Sequence, residues 1–546
     1  MIVVLLLLVI VGAFVWWFIS IYFFLTVPQP ARGGQYVEAF VGQPRYINPL
    51  LSHSSSADRS LVTLIFSSLF DYDENGKLRN DLAERYEVSD DSKEYTVFLR
   101  KDVLWHDGEK LTADDVIFTI DVAKDITFGA AGVSNDLRLA WHDIKVEKID
   151  DFTVKFTLPE ANSDFLHSLT LGILPKHIWE NITPEQFQLS EYNQKPIGAG
   201  PFEFVDLDID AQKDLISTYV LRANENYYRG EPFITKFIAH FYPTRADAVS
   251  AYKDGEVLGV VVDKKEYVEA LKDLAQKQSI SLPHYFAVFL NQTKSVPLAF
   301  DEVREALSMA IDRDALVGEV FGGDAQTRYS PFAEGVEGFD SGEQQHGLDI
   351  NGAKELLEKR GWKVGDDGIR YKGDDKLAFS LDISSSQKEM KQVAELLQKQ
   401  WKEIGVDMQI KEHDKADLET NIIKPRDFDA LLYAHQMRFE PNLLPLWHGK
   451  EKEDPGLNYA MFDDKQMNEA LEQSLKTNNH EERLKLYKTQ QERLKNENPA
   501  IFLFAPGLSF MHSDGVKNIR ANKVNVSADR YTDVHLWYVK QKRVKK

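Results

Sequence analysis

Apolar and polar positions in the later part of the chain follow two different periods. In residues 377–383 every second position is apolar, which is the period of a strand with one buried face. The next stretch carries its apolar side chains on one helical stripe, and Ser386 with Glu389 has the spacing of a capping box at its start. Gly405 ends this helix, and alternation resumes in residues 406–410. The pattern predicts a strand–helix–strand unit, so this part of the chain is α/β.

Other stretches extend this mixture of helices and strands over the rest of the chain. A helical stripe of apolar positions covers residues 303–311, and we expect this helix to close near Gly322 and Gly323. Residues 96–100 and 152–158 alternate with the period of strands, so the first half is predicted to be richer in β structure. Because 546 residues exceed what one hydrophobic core usually supports, we predict a mixed α/β protein of several lobes.

The N-terminal run of residues 2–27 contains no charged side chain. As a helix rising about 1.5 Å per residue it would span roughly 39 Å, enough to cross a hydrocarbon core of about 30 Å with tilt. A cleaved signal peptide is the alternative, but the run is longer than the apolar part of a usual signal and lacks an A-x-A ending. We therefore predict an uncleaved transmembrane anchor, with everything after Pro28 on one side of a membrane.

Composition and charge narrow the classes of function. The net charge of −21 argues against nucleic-acid binding, which depends on Lys and Arg neutralising phosphates. The absence of cysteine excludes disulfides, Cys–zinc sites, thiol nucleophiles and a lipid-modified N-terminal cysteine. The 32 Phe, 21 Tyr and 9 Trp suit a large core, and they also suit a cleft that holds ligands through apolar surface.

The sequence carries none of the common catalytic signatures. Residues 480–483, HEER, begin like a zinc-protease motif, but Leu484 stands where the second histidine is needed. Neither a G-x-S-x-G nucleophile elbow nor a Walker-type phosphate loop is present. We therefore predict a protein that is not an enzyme and that has neither a cofactor nor a metal site.

The densest group of reactive side chains is WHDGEKLTADDV, residues 105–116. Asp107 and Gly108 form a turn signal, because glycine adopts the positive φ that such a turn requires. Thr112 and Asp115 have the T-x-x-D spacing of a capping box, in which each side chain bonds the other residue's backbone amide at a helix start. The cluster is therefore predicted to be structural rather than catalytic.

The same stretch resembles the W-x-DG-x-x-LTA-x-DV-x-F signature of extracytoplasmic solute-binding proteins of the peptide/nickel class, which serve ABC importers. Further segments resemble the other motifs of this family, in the same order along the chain. They are residues 46–49 (YINP), 69–71 with 82–83 (LFD and LA), 195–202 (KPIGAGPF), 254–256 (DGE), and 303–306 with 310–313 (VREA and AIDR). Each motif alone is weakly specific, but together they extend from about Gly33 to Trp537.

The resemblance implies an α/β fold of the type II periplasmic-binding-protein class with three lobes and a discontinuous lobe I. The implied lobes are lobe I from residues 33–70, 197–285 and 500–540, lobe II from 71–196, and lobe III from 286–499. Ligand is expected between lobes I and III, which close on it through a hinge.

In peptide-binding members of this family, an aspartate of a D-Y-x-[DE]-P segment holds the α-amine of an extended peptide. The corresponding segment here is residues 433–441, YAHQMRFEP, in which Met437 stands at the position of that aspartate. Arg438 beside it would favour an anionic or polar ligand group. In an alternative, Met437 is an ordinary core residue and Glu440 has taken over the amine.

Eight residues are candidates for ligand contact because of their places in these motifs. They are Tyr46, Asn48, Tyr433, His435, Met437, Arg438, Glu440 and Trp447. An alternative is that His435 and His448 bind a metal complex, as nickel-binding members of the family do.

The resemblance implies the substrate-binding component of an ABC transporter. We expect an extracytoplasmic protein, periplasmic or at the cell surface, that is anchored in the cytoplasmic membrane by residues 2–27. It would act as a monomer, bind a peptide or another small organic solute between lobes I and III, and deliver it to ABC permease subunits. Two alternatives stay open: a membrane-anchored sensor or peptide chaperone without a transporter, and a secreted hydrolase that uses an unrecognised pair of carboxylates.

Overall fold

The computed structural model describes residues 2–129, 131–210, 212, 214–323 and 325–546. In this described part, most strands belong to three sheets of seven, six and four strands. Two two-stranded sheets and one three-stranded sheet hold the others. Helices alternate with strands along the chain, so the mixed α/β fold predicted from the hydrophobic pattern is confirmed.

The α-helices lie throughout the chain, and the small sheets link neighbouring or terminal segments. The helices are Ile2–Leu25, Ser56–Ile65, Ala113–Lys124, Asn135–Trp141, Lys176–Trp179, Pro184–Phe187, Arg245–Lys253, Lys265–Leu271, Asp301–Met309, Arg313–Phe321, Ile350–Lys359, Lys388–Lys402, Lys415–Asp417, Leu444–Trp447, Lys465–Lys476 and His480–Glu497. The small sheets pair Thr26–Ala31 with Lys540–Lys545, pair Phe70–Tyr72 with Leu78–Asn80, and place Arg370–Lys372 between Lys363–Val364 and Asp375–Lys376.

The seven-stranded sheet, called the first sheet below, combines strands from distant parts of the chain. Its order is Gln276–Ile280, Leu508–His512, Gly259–Val262, Gln35–Val41, Lys236–Tyr242, Leu215–Ala223 and Phe202–Asp210. The central strand Gln35–Val41 is parallel to both of its neighbours. Alternation along this strand places Tyr36 in one hydrophobic core and Val37 in another. Both faces of the first sheet are therefore covered.

The six-stranded sheet, called the second sheet, contains the predicted strand–helix–strand unit. Its order is Gln326–Thr327, Ala500–Ala505, Tyr285–Leu290, Ala430–His435, Ala378–Ser384 and Asp407–His413. Ala378–Ser384 and Asp407–His413 are parallel neighbours, and the chain between them forms the helix Lys388–Lys402. The predicted unit is therefore confirmed.

The predicted start of the helix in this unit is wrong. The helix begins after Gln387, which has no side-chain cap, rather than after Ser386. The Ser386 hydroxyl is engaged with the hydroxyl of Ser384, at 2.7 Å between the two oxygens. Glu389 is therefore free of a capping role and instead pairs with Lys264, at 2.8 Å between Oε1 and Nζ.

The sheet pairings bear on one predicted lobe boundary. The strand Ala500–Ala505, which the prediction places at the start of the last lobe I segment, pairs with Tyr285–Leu290 in the second sheet. The chain returns to the first sheet only at Leu508. A continuous apolar run such as AIFLFA indicates a buried strand but does not indicate which sheet it joins. The division into three lobes stays a prediction.

The four-stranded third sheet is antiparallel throughout. Its order is Ala83–Val88, Glu94–Leu99, Thr153–Thr157 and Lys145–Asp150. Its two middle strands are those predicted at residues 96–100 and 152–158. The helix Ala113–Lys124 starts with the predicted capping box, in which the Asp115 carboxylate accepts the Thr112 backbone N–H at 2.8 Å. The structural interpretation of this cluster is confirmed.

The second apolar stripe forms two helices instead of one helix that closes near Gly322. The helices are Asp301–Met309 and Arg313–Phe321. Asp312 starts the second one, because its side chain accepts a backbone N–H of the first turn at 2.8 Å. Gly322 ends it with a φ of 59°. A capping aspartate within the stripe thus restarts the helix, and apolar periodicity alone does not register such a restart.

The N-terminal run forms the helix Ile2–Leu25, and the strand Thr26–Ala31 follows it. That strand pairs in antiparallel fashion with Lys540–Lys545 at the other end of the chain. Side chains of the N-terminal helix are described from Ile10 onward. Among the residues described in this way, none forms a helix that is long and apolar enough to span a membrane. The anchor at residues 2–27 stays a prediction.

Candidate functional site

A cavity of about 580 Å³, called the main cavity below, lies between residues from distant parts of the chain. Its walls come from residues 62–81, 167–172, 201–229, 436–457 and 525–532. The volume falls in the range of about 300–1,000 Å³ that is usual for small-ligand sites.

The walls of the main cavity are placed by the ends of regular elements. The strand Ala430–His435 of the second sheet leads into the loop that brings Met437 to the cavity. The short strand Phe70–Tyr72 brings Asp71 and Tyr72 to the cavity, and the helical turn Ser527–Tyr531 contributes Asp529. Side chains held at the ends of such elements need little reordering when a ligand binds.

Two charged side chains of the main-cavity lining, Arg229 and Asp71, are tied to Arg79 and Asp533, which are not part of that lining. Arg229 lies 2.6 Å from Asp533 and 3.4 Å from Asp71. Arg79 lies 2.9 Å from Asp533 and 3.2 Å from Asp71. Burial acts to lower the pKa of both guanidiniums, but the neighbouring carboxylates outweigh it and raise the pKa of each. These charges neutralise one another within the wall, so the wall is a fixed polar surface.

Asp529 is the carboxyl group of the main cavity whose pKa is raised furthest, into the neutral range. It accepts the backbone N–H groups of Asn525 at 3.1 Å and Val526 at 3.0 Å. Burial, helped by the charge of Asp71, outweighs these hydrogen bonds and raises the pKa of Asp529 to about 7. A carboxyl group in this state becomes ionised when a cation approaches it. Asp529 can therefore act as the partner of a ligand amine.

Met437 and Arg438 both line the main cavity. Met437 offers apolar surface and packs in the core beneath the second sheet. Arg438 pairs through Nη2 with both oxygens of Asp164, at 2.5 Å to Oδ1. Burial acts to lower the pKa of Arg438, but the charge of Asp164 outweighs it and the pKa is raised. Because a protein carboxylate already balances Arg438, the basis for expecting an anionic ligand group at this position is removed.

Glu440 lies in a second cavity of about 450 Å³, called the side cavity below, and does not line the main cavity. Its Oε2 lies 3.3 Å from Nε2 of His167 and accepts the backbone N–H of Leu78 at 3.3 Å. Burial raises the pKa of Glu440. The alternative in which Glu440 takes over an amine in the main cavity is therefore not supported by its position.

This cavity lies in a chain with a clear family assignment. Residues 77–453 match the family model described as bacterial extracellular solute-binding proteins, family 5, middle. The chain belongs to this family. The resemblance inferred from the sequence motifs is thereby confirmed, and so is the α/β binding-protein fold.

Similar proteins match this family 5 protein over nearly its whole length. Oligopeptide-binding protein AppA of Bacillus subtilis (strain 168) is 27% identical over 531 residues, which cover 94% of this chain and 93% of that protein. The structure of the ABC transporter substrate binding protein CtaP from Listeria monocytogenes is 25% identical, with a TM-score of 0.78 over 93% of this chain and 100% of that chain. The structure of NikZ from Campylobacter jejuni in complex with Ni(L-His) is 26% identical, with a TM-score of 0.72 over 92% and 99%.

Three predicted contact residues of the family 5 protein lie in its core. His435 is buried, hydrogen-bonds the Tyr285 hydroxyl at 2.9 Å, and is kept neutral because burial lowers its pKa to about 3. Trp447 is fully buried in the same core. Asn48 is buried and uses its Oδ1 to accept the backbone N–H of Leu50 at 2.9 Å. All three side chains are packed inside the protein and line neither cavity, so the structure gives no support to their assignment as ligand contacts, which stays a prediction.

The two predicted tyrosines line neither cavity. Tyr46 packs against the core of the first sheet, and the Tyr433 hydroxyl donates a hydrogen bond to Glu419 at 3.4 Å. His448 is also buried and lies 3.1 Å from Oε1 of Glu472, so it is not paired with His435 around an open site. Within the described ranges, no group of three or more His, Asp or Glu side chains is arranged to hold a metal ion.

Several residues of the site cannot be identified from the sequence alone. Asp71 and Arg229 meet although 158 positions separate them, and Arg438 meets Asp164 across 274 positions. No motif or spacing links such pairs. For Asp529 the local sequence can indicate only a turn, in which its carboxylate accepts the backbone N–H of Val526 three residues earlier. It does not indicate a place in the cavity.

Proposed function

We propose that this family 5 protein is the substrate-binding component of an ABC importer, which holds a peptide or peptide-like solute in the main cavity and delivers it to a permease. The proposal rests on the cavity of about 580 Å³, which is lined by paired charges and by Met437. The chain that holds this cavity is similar to an oligopeptide-binding protein. A role of this kind makes and breaks no covalent bond.

In this proposal the α-amine of the ligand binds Asp529. Met437 carries no charge, so it cannot form the charge-assisted hydrogen bond that the family's usual aspartate supplies. Asp529 lies in the same cavity with a pKa raised to about 7, and an ammonium group would draw it into the ionised form. Such a charge-assisted bond contributes roughly 1.5–3 kcal/mol. The proposed amine site therefore lies on the turn Ser527–Tyr531, whereas the family's usual aspartate corresponds to the loop that follows the strand Ala430–His435.

We infer that the lobes are closed over the main cavity in the state described here. Lobes II and III would then touch through Ser163, whose backbone N–H donates to the Leu475 carbonyl at 2.7 Å. Lobes I and III would touch through Lys264 and Glu389, 2.8 Å apart. The first-sheet, third-sheet and second-sheet segments correspond to lobes I, II and III, with Leu508 as the start of the last lobe I segment. The closed form would be the one that a permease binds.

We further propose that residues 2–27 anchor the protein, as a monomer, on the outer side of the cytoplasmic membrane. The uncharged sequence of this run supports the proposal. So does the exposure of its aromatic side chains, since 71% of Trp16 and 72% of Phe24 are uncovered by protein. In cell fractionation, the full chain should sediment with membranes and a chain that starts at residue 28 should not.

Isothermal titration calorimetry tests the proposed ligand class. Short peptides with free amino termini should bind with one site per chain, and their N-acetylated counterparts should bind much more weakly. If peptides of every length and composition fail to bind, the proposed function is wrong.

A further inference from the structure

The main cavity and the side cavity are separated by a thin wall. His167 lines both of them, so one side chain spans the distance between the two. On the main-cavity side, Nδ1 of His167 lies 3.0 Å from the Tyr72 hydroxyl. On the other side, Nε2 lies 3.3 Å from Oε2 of Glu440. Burial lowers the pKa of His167 to about 4, so this part of the wall is uncharged at neutral pH.

A second part of this wall is an ion pair between two distant parts of the chain. Arg438, which lines the main cavity, binds both carboxylate oxygens of Asp164, which lines the side cavity. The side-chain amide of Asn442 also donates to Asp164 Oδ2 at 3.1 Å. Along the chain, Asp164 follows the strand Thr153–Thr157 of the third sheet. Arg438 and Asn442 follow the strand Ala430–His435 of the second sheet. The wall is therefore assembled only when these two parts of the chain meet.

The side cavity has the size and the polarity to receive part of a ligand. Its volume of about 450 Å³ is similar to that of many small-ligand sites. Tyr86, Tyr95 and Leu166 supply apolar surface, and Glu337 and Glu440 supply carboxylates.

We propose that the Arg438–Asp164 pair sets the maximum length of the ligand, because it closes the main cavity against a side cavity that would otherwise hold further ligand residues. This inference rests on the proposed function. With the wall in place, the ligand is confined to about 580 Å³, which selects short peptides. With the pair removed, longer peptides extend past His167 into the side cavity.

A ladder of peptides from two to nine residues, measured by calorimetry, tests the inference. The double variant Asp164→Ala with Arg438→Ala removes the whole pair, so that no unpaired charge stays buried. Asp164→Ser with Arg438→Ser opens the same space and keeps polar groups at the wall, in case the first variant does not fold. Lys148→Ala is the matched control, since it removes the ion pairs with Asp114 and Asp151 at 2.8 Å on the surface of the same sheet.

The wild type and the control should bind short peptides and lose at least about tenfold in affinity for the longest ones. The double variants should lose this penalty, so that the ratio of the affinity for the longest peptides to that for short ones rises at least about tenfold over the wild type. The inference is overturned if the wild type and the double variants show the same length profile, or if the wild type binds long peptides as tightly as short ones. If the wild type binds none of the ladder, the proposed function itself fails.

Discussion

If Asp529 binds the α-amine of the ligand, the substitution Asp529→Asn should weaken peptide binding. The substitution keeps the shape of the side chain and leaves an oxygen that can accept the N–H groups of Asn525 and Val526, now at 3.1 and 3.0 Å. It removes the charge that would face an ammonium group. The lost charge-assisted bond is worth roughly 1.5–3 kcal/mol, which corresponds to about 10- to 150-fold weaker binding.

The pH dependence of the wild type follows from the raised pKa of Asp529. Burial raises this pKa to about 7, so below that pH the carboxyl group is mostly protonated and must lose its proton before it can pair with an ammonium group. The affinity for a free peptide should therefore fall by about tenfold per pH unit below 7. It should also fall above about pH 8, where the α-amine loses its proton. The optimum is expected between these two values.

Calorimetry from pH 5.5 to 8.5 checks both effects in one series. Asp529→Asn should abolish the acid limb of the profile, and an N-acetylated peptide should show neither limb. Asp514→Asn is the matched control, because Asp514 is exposed and pairs only with Lys517 in its own loop among the contacts of the described residues. A flat wild-type profile, or unchanged affinity in Asp529→Asn, would refute the assignment of the amine to Asp529.

Three further substitutions separate stability from binding. Thr112→Ala removes the cap of the helix Ala113–Lys124 and should lower the free energy of unfolding by about 0.5–2 kcal/mol in chemical denaturation, without changing affinity. His435→Ala should lower it by about 2–4 kcal/mol, because it opens space in the core and leaves the Tyr285 hydroxyl without its partner at 2.9 Å. A loss of affinity without a loss of stability would contradict the core placement of His435. Lys264→Ala should shift the lobes toward the open form by no more than about 1 kcal/mol, an effect that small-angle scattering should find only at low salt.

Local patterns predicted the local structure well. The alternation in residues 377–383 and 406–410 corresponds to two parallel strands, and Thr112 with Asp115 corresponds to a capping box. Both signals depend on neighbours within a few residues, which the sequence displays directly. The restart of a helix at Asp312 was missed because apolar periodicity continues across it, although the capping side chain is equally local.

The candidate site was predicted less well, because motif position does not say which way a side chain points. His435 ends a strand of the second sheet and faces the core, whereas Met437, two residues later in the following loop, lines the main cavity. Arg438 lines the same cavity as Met437, but its partner Asp164 lies 274 positions away in the chain and follows a strand of another sheet. Ion pairs between residues that are distant in the chain determine the charge of the cavity. A single sequence does not show which residues form them.

The main cavity is proposed to hold a short peptide-like solute. Mass spectrometry of protein that is purified gently and then denatured identifies what the cavity carries. We expect release of short peptides or peptide-like solutes at about one per chain, and their loss in Asp529→Asn. Release of a metal complex or a non-peptidic solute alone, or turnover of added peptides by the purified protein, would contradict it.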